Sequence, residues 1–216
     1  MYKDIQLARN ALQNLPLHWD GKESIHELKR AAFNWRQVEW WSFYFELLCL
    51  QRLKDHFQIP GDRFGKAKTA CFDFKGNINW DLKAKAIQSD GHRSILNDLA
   101  AMDQSLQTYG AHGLVVALCD VAYDNVDRVF QKWHEALKGG KSKHALDQEH
   151  RTRFSFYRIT RAELQEILFL LITRKNIHAL EIHHQGRNSN GKPRPPKYML
   201  NFEDLEHFLV DRLVLL

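Results

Sequence analysis

Ten consecutive residues, Gly113-Leu-Val-Val-Ala-Leu-Cys-Asp-Val-Ala122, are apolar but for one aspartate. A run so short and so apolar suits a central strand covered on both faces, and it predicts a sheet sandwiched between two layers. The chain has 216 residues and 44% hydrophobic content, with no Gly/Ser-rich or Pro-rich linker and no internal repeat. That is enough to bury one sizeable core, so residues 1–216 read as a single α/β (α+β) domain.

The stretch Cys71-Phe-Asp-Phe-Lys-Gly-Asn-Ile-Asn-Trp-Asp-Leu-Lys-Ala-Lys85 alternates in the manner of two strands around a Gly76-Asn77 turn. Cys71, Asp73 and Lys75 share one side. Trp80, Leu82 and Ala84 oppose Asp81, Lys83 and Lys85. The loop length decides what converges. A two-residue loop pairs Asp73 with Trp80 and separates the acids, whereas a three-residue loop, Gly76 to Ile78, pairs Lys75 with Asn79, Phe74 with Trp80 and Asp73 with Asp81. The sequence tolerates either parity.

Two neighbouring carboxylates repel unless a cation lies between them, and a small set of hard oxygen ligands suits magnesium or manganese, completed by water and substrate phosphate. A lysine alongside orients the nucleophile or offsets charge in the transition state. The tripeptide Asp/Glu-x-Lys alone is weak evidence, since it occurs as Asp20-Gly-Lys22, Glu27-Leu-Lys29 and Asp81-Leu-Lys83. Only the third lies on an alternating strand after another acid-bearing strand. Its bland alternative is a solvated hairpin face with ordinary cross-strand ion pairs.

Asp73 followed by Asp81-Leu-Lys83 resembles the PD-(D/E)xK nuclease core, particularly as used by type II restriction endonucleases. Two departures are the absence of proline at position 72 and the short spacing between the acids. The resemblance implies a restriction-endonuclease-like central mixed β-sheet flanked by helices. It also implies an enzyme that uses magnesium, for which manganese can substitute, to hydrolyse duplex DNA, with Asp73 and Asp81 as metal ligands and Lys83 as the catalytic lysine.

Residues 34–53 read as a helix with apolar residues around most of its circumference. Glu39 and Glu46, seven residues apart, lie on nearly the same face of it, where a carboxylate needs an ion-pair partner or a metal. Arg36, Arg52 or a lysine would serve as the partner. In the resembled family a glutamate from the preceding helix often joins the site, and the run Arg36-Gln-Val-Glu39…Phe43-Tyr-Phe-Glu46 also looks like segments of restriction endonucleases. That resemblance assigns Glu46 to the metal and catalytic set, with Glu39 second.

Lys and Arg number 31 against 26 acids, a net charge of +5 that favours an anionic partner only weakly. The segment 185–197 holds Arg187, Lys192, Arg194 and Lys197 and no acid, and is the candidate DNA-contacting loop. Arg187, Asn188, Asn190 and Arg194 are its candidate base contacts, and lysines more often meet phosphate. The alternative is an ordinary solvated loop. A flexible basic loop is expected near 138–150. His178, Glu181, His183 and His184 match neither HExxH nor zinc-finger spacing, and read as a surface or DNA-facing cluster. No GxSxG, GxxxxGK[ST] or GxGxxG motif occurs, so serine-hydrolase, P-loop and Rossmann readings have no support.

Cys49, Cys71 and Cys119 lie apart in apolar segments and read as reduced thiols of a cytoplasmic protein. No export leader or membrane-spanning run is apparent. Local patterns predict helices near 2–14, 23–57 (with a break), 92–108, 124–137 and 161–174, the last opened by a Thr160/Glu163 capping box. Strands are expected at 153–159 and 179–183, and a final helix at 201–213 capped by Asn201. The resulting expectation is a homodimeric, sequence-specific DNA endonuclease, since two related sites most simply cut a symmetric duplex. Alternatives are a junction-resolving or repair nuclease of the same fold, a non-catalytic DNA-binding protein, or action on RNA.

Overall fold

The computed structural model describes residues 1–60, 72–87, 92–141, 158–187 and 191–216. Its centre is a mixed sheet in the order β1-β6-β5-β3-β2, with β9 also on β6. The strands are β1 (His18–Asp20), β2 (Phe74–Lys75), β3 (Asn79–Ala86), β5 (Ala111–Tyr123), β6 (Ile159–Thr173) and β9 (Leu209–Val214). β3 and β5 run parallel and the other pairs antiparallel. β4 (Arg93–Asp98), β7 (Glu181–His183) and β8 (Lys197–Asn201) form a second, three-stranded sheet ordered β4-β8-β7.

The predicted central strand is β5, lengthened to 13 residues and buried on both faces over most of its run. Its alternate residues divide the interior. Ala111, Val115, Ala117 and Cys119 enter a core shared with helices α1 (Tyr2–Leu12), α2 (Gly21–Arg30), α3 (Trp40–Leu53) and α5 (Val129–Leu137). Leu114 and Val116 enter a second core with Met102 and Leu106 of α4 (Leu99–Tyr109) and Leu96 and Leu200 of the small sheet. A strand running between two layers has no wet face to lay polar residues on, which is why it reads as continuously apolar.

Trp80 on β3 locks this sheet to the helices. Its ring stacks on Phe74 across the hairpin, with centroids 5.9 Å apart and planes 4° apart. It also fills the space over Gly113, where a Cβ would sit 2.1 Å from the ring. The hairpin loop is Gly76 to Ile78, with Lys75 opposite Asn79 and Phe74 opposite Trp80, so the odd parity is adopted. Asp4 of α1 pins that loop. Its Oδ2 accepts from the Asn77 N–H at 2.8 Å and from Trp80 Nε1 at 3.3 Å, and its Oδ1 accepts from Asn77 Nδ2. Gly76 is glycine for the same reason: a Cβ there would lie 2.6 Å from Asp4 Oδ2.

Several local readings are overturned by tertiary pairing. The predicted helix 161–174 is strand β6, bonded to β5 on one side and to β1 and β9 on the other. The capping pair serves the sheet instead, Thr160 Oγ1 donating to Ala122 O at 3.2 Å and Glu163 meeting His18 at 2.8 Å. The terminal helix is replaced by a 3-10 segment over Phe202–His207 and then by β9, although Asn201 does accept from the Glu203 N–H at 3.2 Å. Residues 93–98 are strand rather than helix, α3 begins at Trp40 rather than 34, and α5 begins at Val129. Residues 153–157 of the predicted strand 153–159, residues 142–150 of the predicted loop 138–150 and Cys71 lie outside the described residues, and Ile159 opens β6. Among the described residues no helix is long and apolar enough to cross a membrane.

Two stability predictions follow from these contacts. Asp4→Ala strands the Asn77 amide and the Trp80 indole N–H, and its unfolding free energy in denaturant should fall by about 2 kcal/mol. On α5, His134 Nε2 donates to Trp35 O at 2.9 Å, and burial pushes its pKa down to about 4 from 6.5. The unfolded chain therefore binds that proton first, so this contribution is intact above pH 6.5 and is lost as pH falls toward 4. The urea midpoint should decline across that window, and less steeply for His134→Gln.

Candidate active site

Burial of Trp80 and Leu82 in the helix-side core turns Asp81 and Lys83 to the other face of β3, toward α4 and the small sheet. Asp81 is 3% exposed and Lys83 is half-buried. Asp73 is also buried, and its carboxylate does not form a regular ladder pair with Asp81. The Asp73 N–H donates to Trp80 O at 2.8 Å, although Phe74 is already Trp80's partner, so the ladder breaks there. Asp73 Oδ2 then accepts from the Leu82 N–H at 2.6 Å, where the next strand carbonyl would have bonded. The Asp73 carboxylate thus sits on the peptide linking Asp81 to Leu82.

Asp81 Oδ2 is held by two protein donors. His112 Nε2 lies 2.7 Å away, and Asn97 Nδ2 donates to the same oxygen. His112 is fully buried at the start of β5 beside Asn79, and its Nδ1 is 3.1 Å from Ser105 Oγ on α4. Asn97 reaches Asp81 because β4 carries one extra residue against β8: Ile95 pairs with Met199 but Asp98 with Lys197. A bulge of this kind re-aims a side chain. Local pattern gave no hint of His112 and Asn97, which meet Asp81 from β5 and β4, or of Ser105 on α4 behind His112; the sole trace is a polar residue heading an apolar strand.

The order Asp81–His112–Ser105 is that of a nucleophilic relay, yet its surroundings argue otherwise. Ser105 is 3% exposed in the middle of α4, where the backbone N–H groups are consumed by helix bonds and none is left for an oxyanion. Among the described residues neither cysteine suits a nucleophile, because burial pushes the Cys119 thiol up to about 12 and, with the Glu46 charge, raises Cys49 well above its usual range.

The oxygen donors present suit a hard cation. Besides the two aspartates, Asn79 Oδ1 is buried on Asp81's face with no hydrogen-bond partner among the described residues. Magnesium needs only one or two carboxylates, taking water and phosphate for the remainder. Among the described residues no three Asp, Glu, His or Cys side chains converge as a metal cluster, so Glu46 does not close a three-carboxylate set. Glu46 is half-buried on α3, the helix covering the opposite core, and its charge acts on Cys49. Glu39 is exposed at the start of α3, where its charge bears on Arg158.

Within the segment 185–197, the described residues 185–187 and 191–197 continue the β7–β8 hairpin as an arm. Arg187 bridges to Pro193 across it, Arg187 Nη1 donates to Gly191 O at 3.0 Å, and the Arg194 N–H donates to Gly186 O at 3.1 Å. Arg187, Lys192 and Arg194 are exposed, while Lys197 at the root lies 3.5 Å from Asp98. Asn188 and Asn190 lie outside the described residues. The arm's strand β8 pairs with β4, the strand that sends Asn97 to Asp81, so one small sheet joins the basic arm to the acids. Of the histidine cluster, Glu181 instead pairs with Arg93 at 3.2 Å.

Comparison with family models, curated proteins and solved structures finds no match for this chain. Because Ser105 is enclosed within α4, a serine-directed fluorophosphonate should leave the protein unlabelled, and Ser105→Ala should lower stability by about 1 kcal/mol in a denaturant titration. Labelling that disappears in Ser105→Ala would restore the hydrolase reading.

Proposed function

We propose that this chain is a magnesium-dependent DNA endonuclease of the PD-(D/E)xK kind, acting as a type II restriction enzyme on a short duplex site. The observation that carries the reading is the seating of the Asp73 carboxylate on the peptide after Asp81, with Lys83 on Asp81's face. The mixed sheet with helices on both faces is compatible with it. So is the small sheet that links an exposed basic arm to Asp81 through Asn97.

Asp73 and Asp81, with Asn79 Oδ1, would hold the magnesium. Bound there, that ion supplies Lewis acidity toward phosphate and a more acidic water. Lys83, two residues along β3, places an ammonium where it can orient a water or offset charge on the phosphate oxygens. Arg187 and Arg194 on the arm offer bidentate donors to base edges, and Lys192 and Lys197 supply phosphate contacts. Glu46 acts from the helix side and stays outside this set. Two copies acting across a symmetric duplex would cut both strands.

Unmethylated genomic DNA from several sources, incubated with the protein and magnesium, should give discrete fragments that EDTA abolishes. Lys83→Ala and Asp81→Asn should each slow cleavage about a hundredfold or more while still retarding duplex DNA on a gel. Intact DNA despite binding, across DNA of varied source and modification, would move the assignment to a non-catalytic DNA-binding protein. Preference for branched substrates would select the junction-resolving version.

A further inference from the structure

Asp81 is an unusual place for a buried histidine to be spent. The ring of His112 is fully enclosed, yet each of its nitrogens has a partner, Asp81 Oδ2 at 2.7 Å and Ser105 Oγ at 3.1 Å. A carboxylate can only accept, so Nε2 carries a hydrogen and donates it. In the neutral ring Nδ1 is then the acceptor for the Ser105 hydroxyl, which fixes both the tautomer and the ring's orientation. Ser105 is itself held in the body of α4, so the chain of bonds ends on a rigid helix.

The second donor approaches from another direction. Asn97 leaves the bulge of β4 and places its amide on the same oxygen. Two donors on Oδ2, one from β5 and one from the small sheet, leave the carboxylate no freedom to rotate about its Cβ–Cγ bond. The direction of Oδ1 is set with it. A core that needed only to be filled would place an apolar side chain at 112, as at Leu114 and Val116 on the same face, without the desolvation cost of three polar groups. Donors that orient a metal ligand typically change metal affinity or activity ten- to hundredfold when removed.

We infer that His112 and Asn97 are positioning residues that clamp Asp81 Oδ2 and thereby orient its carboxylate for a divalent cation, with Ser105 holding the His112 ring. The inference rests on the nuclease reading, and the test separates the two. Manganese binding to the free protein is followed from the EPR signal of unbound Mn2+, alongside the magnesium dependence of single-turnover DNA cleavage and urea unfolding of each variant.

Wild type should bind Mn2+ and Asp81→Asn should not. His112→Leu should weaken Mn2+ binding about tenfold and raise the magnesium needed for half-maximal cleavage by a similar factor, with duplex binding in EDTA unchanged. His112→Gln keeps an N–H donor at the same reach and should recover most of both, which a merely space-filling histidine would not require. If His112→Leu does not fold, Asn97→Ala supplies the same reading from a half-buried site, with a smaller loss in the same direction. Wild type that binds Mn2+ but cuts no DNA, with His112→Leu still impaired, would remove the nuclease reading and support the clamp. Equal Mn2+ affinity in wild type, His112→Leu and Asn97→Ala would overturn the clamp alone, and wild type that neither binds nor cuts would overturn both.

Discussion

The arrangement depends first on where Trp80 goes. Its indole is too large to share a place: it occupies the volume left by Gly113 on the neighbouring parallel strand, stacks on Phe74 across the hairpin and donates to Asp4 of the first helix. Once that ring is committed to the helix-side core, the two-residue period of β3 sends Asp81 and Lys83 to the opposite face. One aromatic residue therefore sets the side of β3 on which Asp81 and Lys83 emerge.

The opposite face buries a connected set of polar groups. Asp81, His112, Ser105 and Asn79 are all buried there, among the leucines and valines of the second core. Burying so many polar groups is unfavourable unless each is matched, and the matching comes from α4, β5 and the bulged β4. The unpaired Asn79 oxygen stands out against that background. Asp73, by contrast, is held by the edge of the sheet, its carboxylate taking the ladder position its own backbone vacates. Each acid is therefore held by a different part of the fold, one by side chains and the other by the backbone of β3.

The small sheet gives the candidate site its reach. Its strand β4 touches Asp81 through Asn97, pairs with β8, and is tied to it again where Asp98 meets Lys197. The arm beyond β8 carries exposed arginines at the far end of the same short ladder.

Sequence by itself determined the features that local periodicity encodes. The central strand at 113–122, the two strands around the Gly76-Asn77 turn and the acid-free basic composition of 185–197 were legible, because alternation and charge composition need no distant partner. Helix against strand at 161–174 was not legible. Its apolar run 167–172 fits either, and only the pairing of β6 with β5, β1 and β9 decided for strand. The same holds at 209–214, where β6 overrides a well-capped helical pattern. Tertiary structure alone chose the odd loop, through the Asp4 carboxylate some seventy residues upstream of the turn. It alone brought His112 and Asn97 to Asp81 and Ser105 to His112, and it alone placed Glu46 on the helix covering the other core. Those outcomes depend on contacts between residues far apart in the chain, and hydrogen bonds between distant elements leave no period in a sequence.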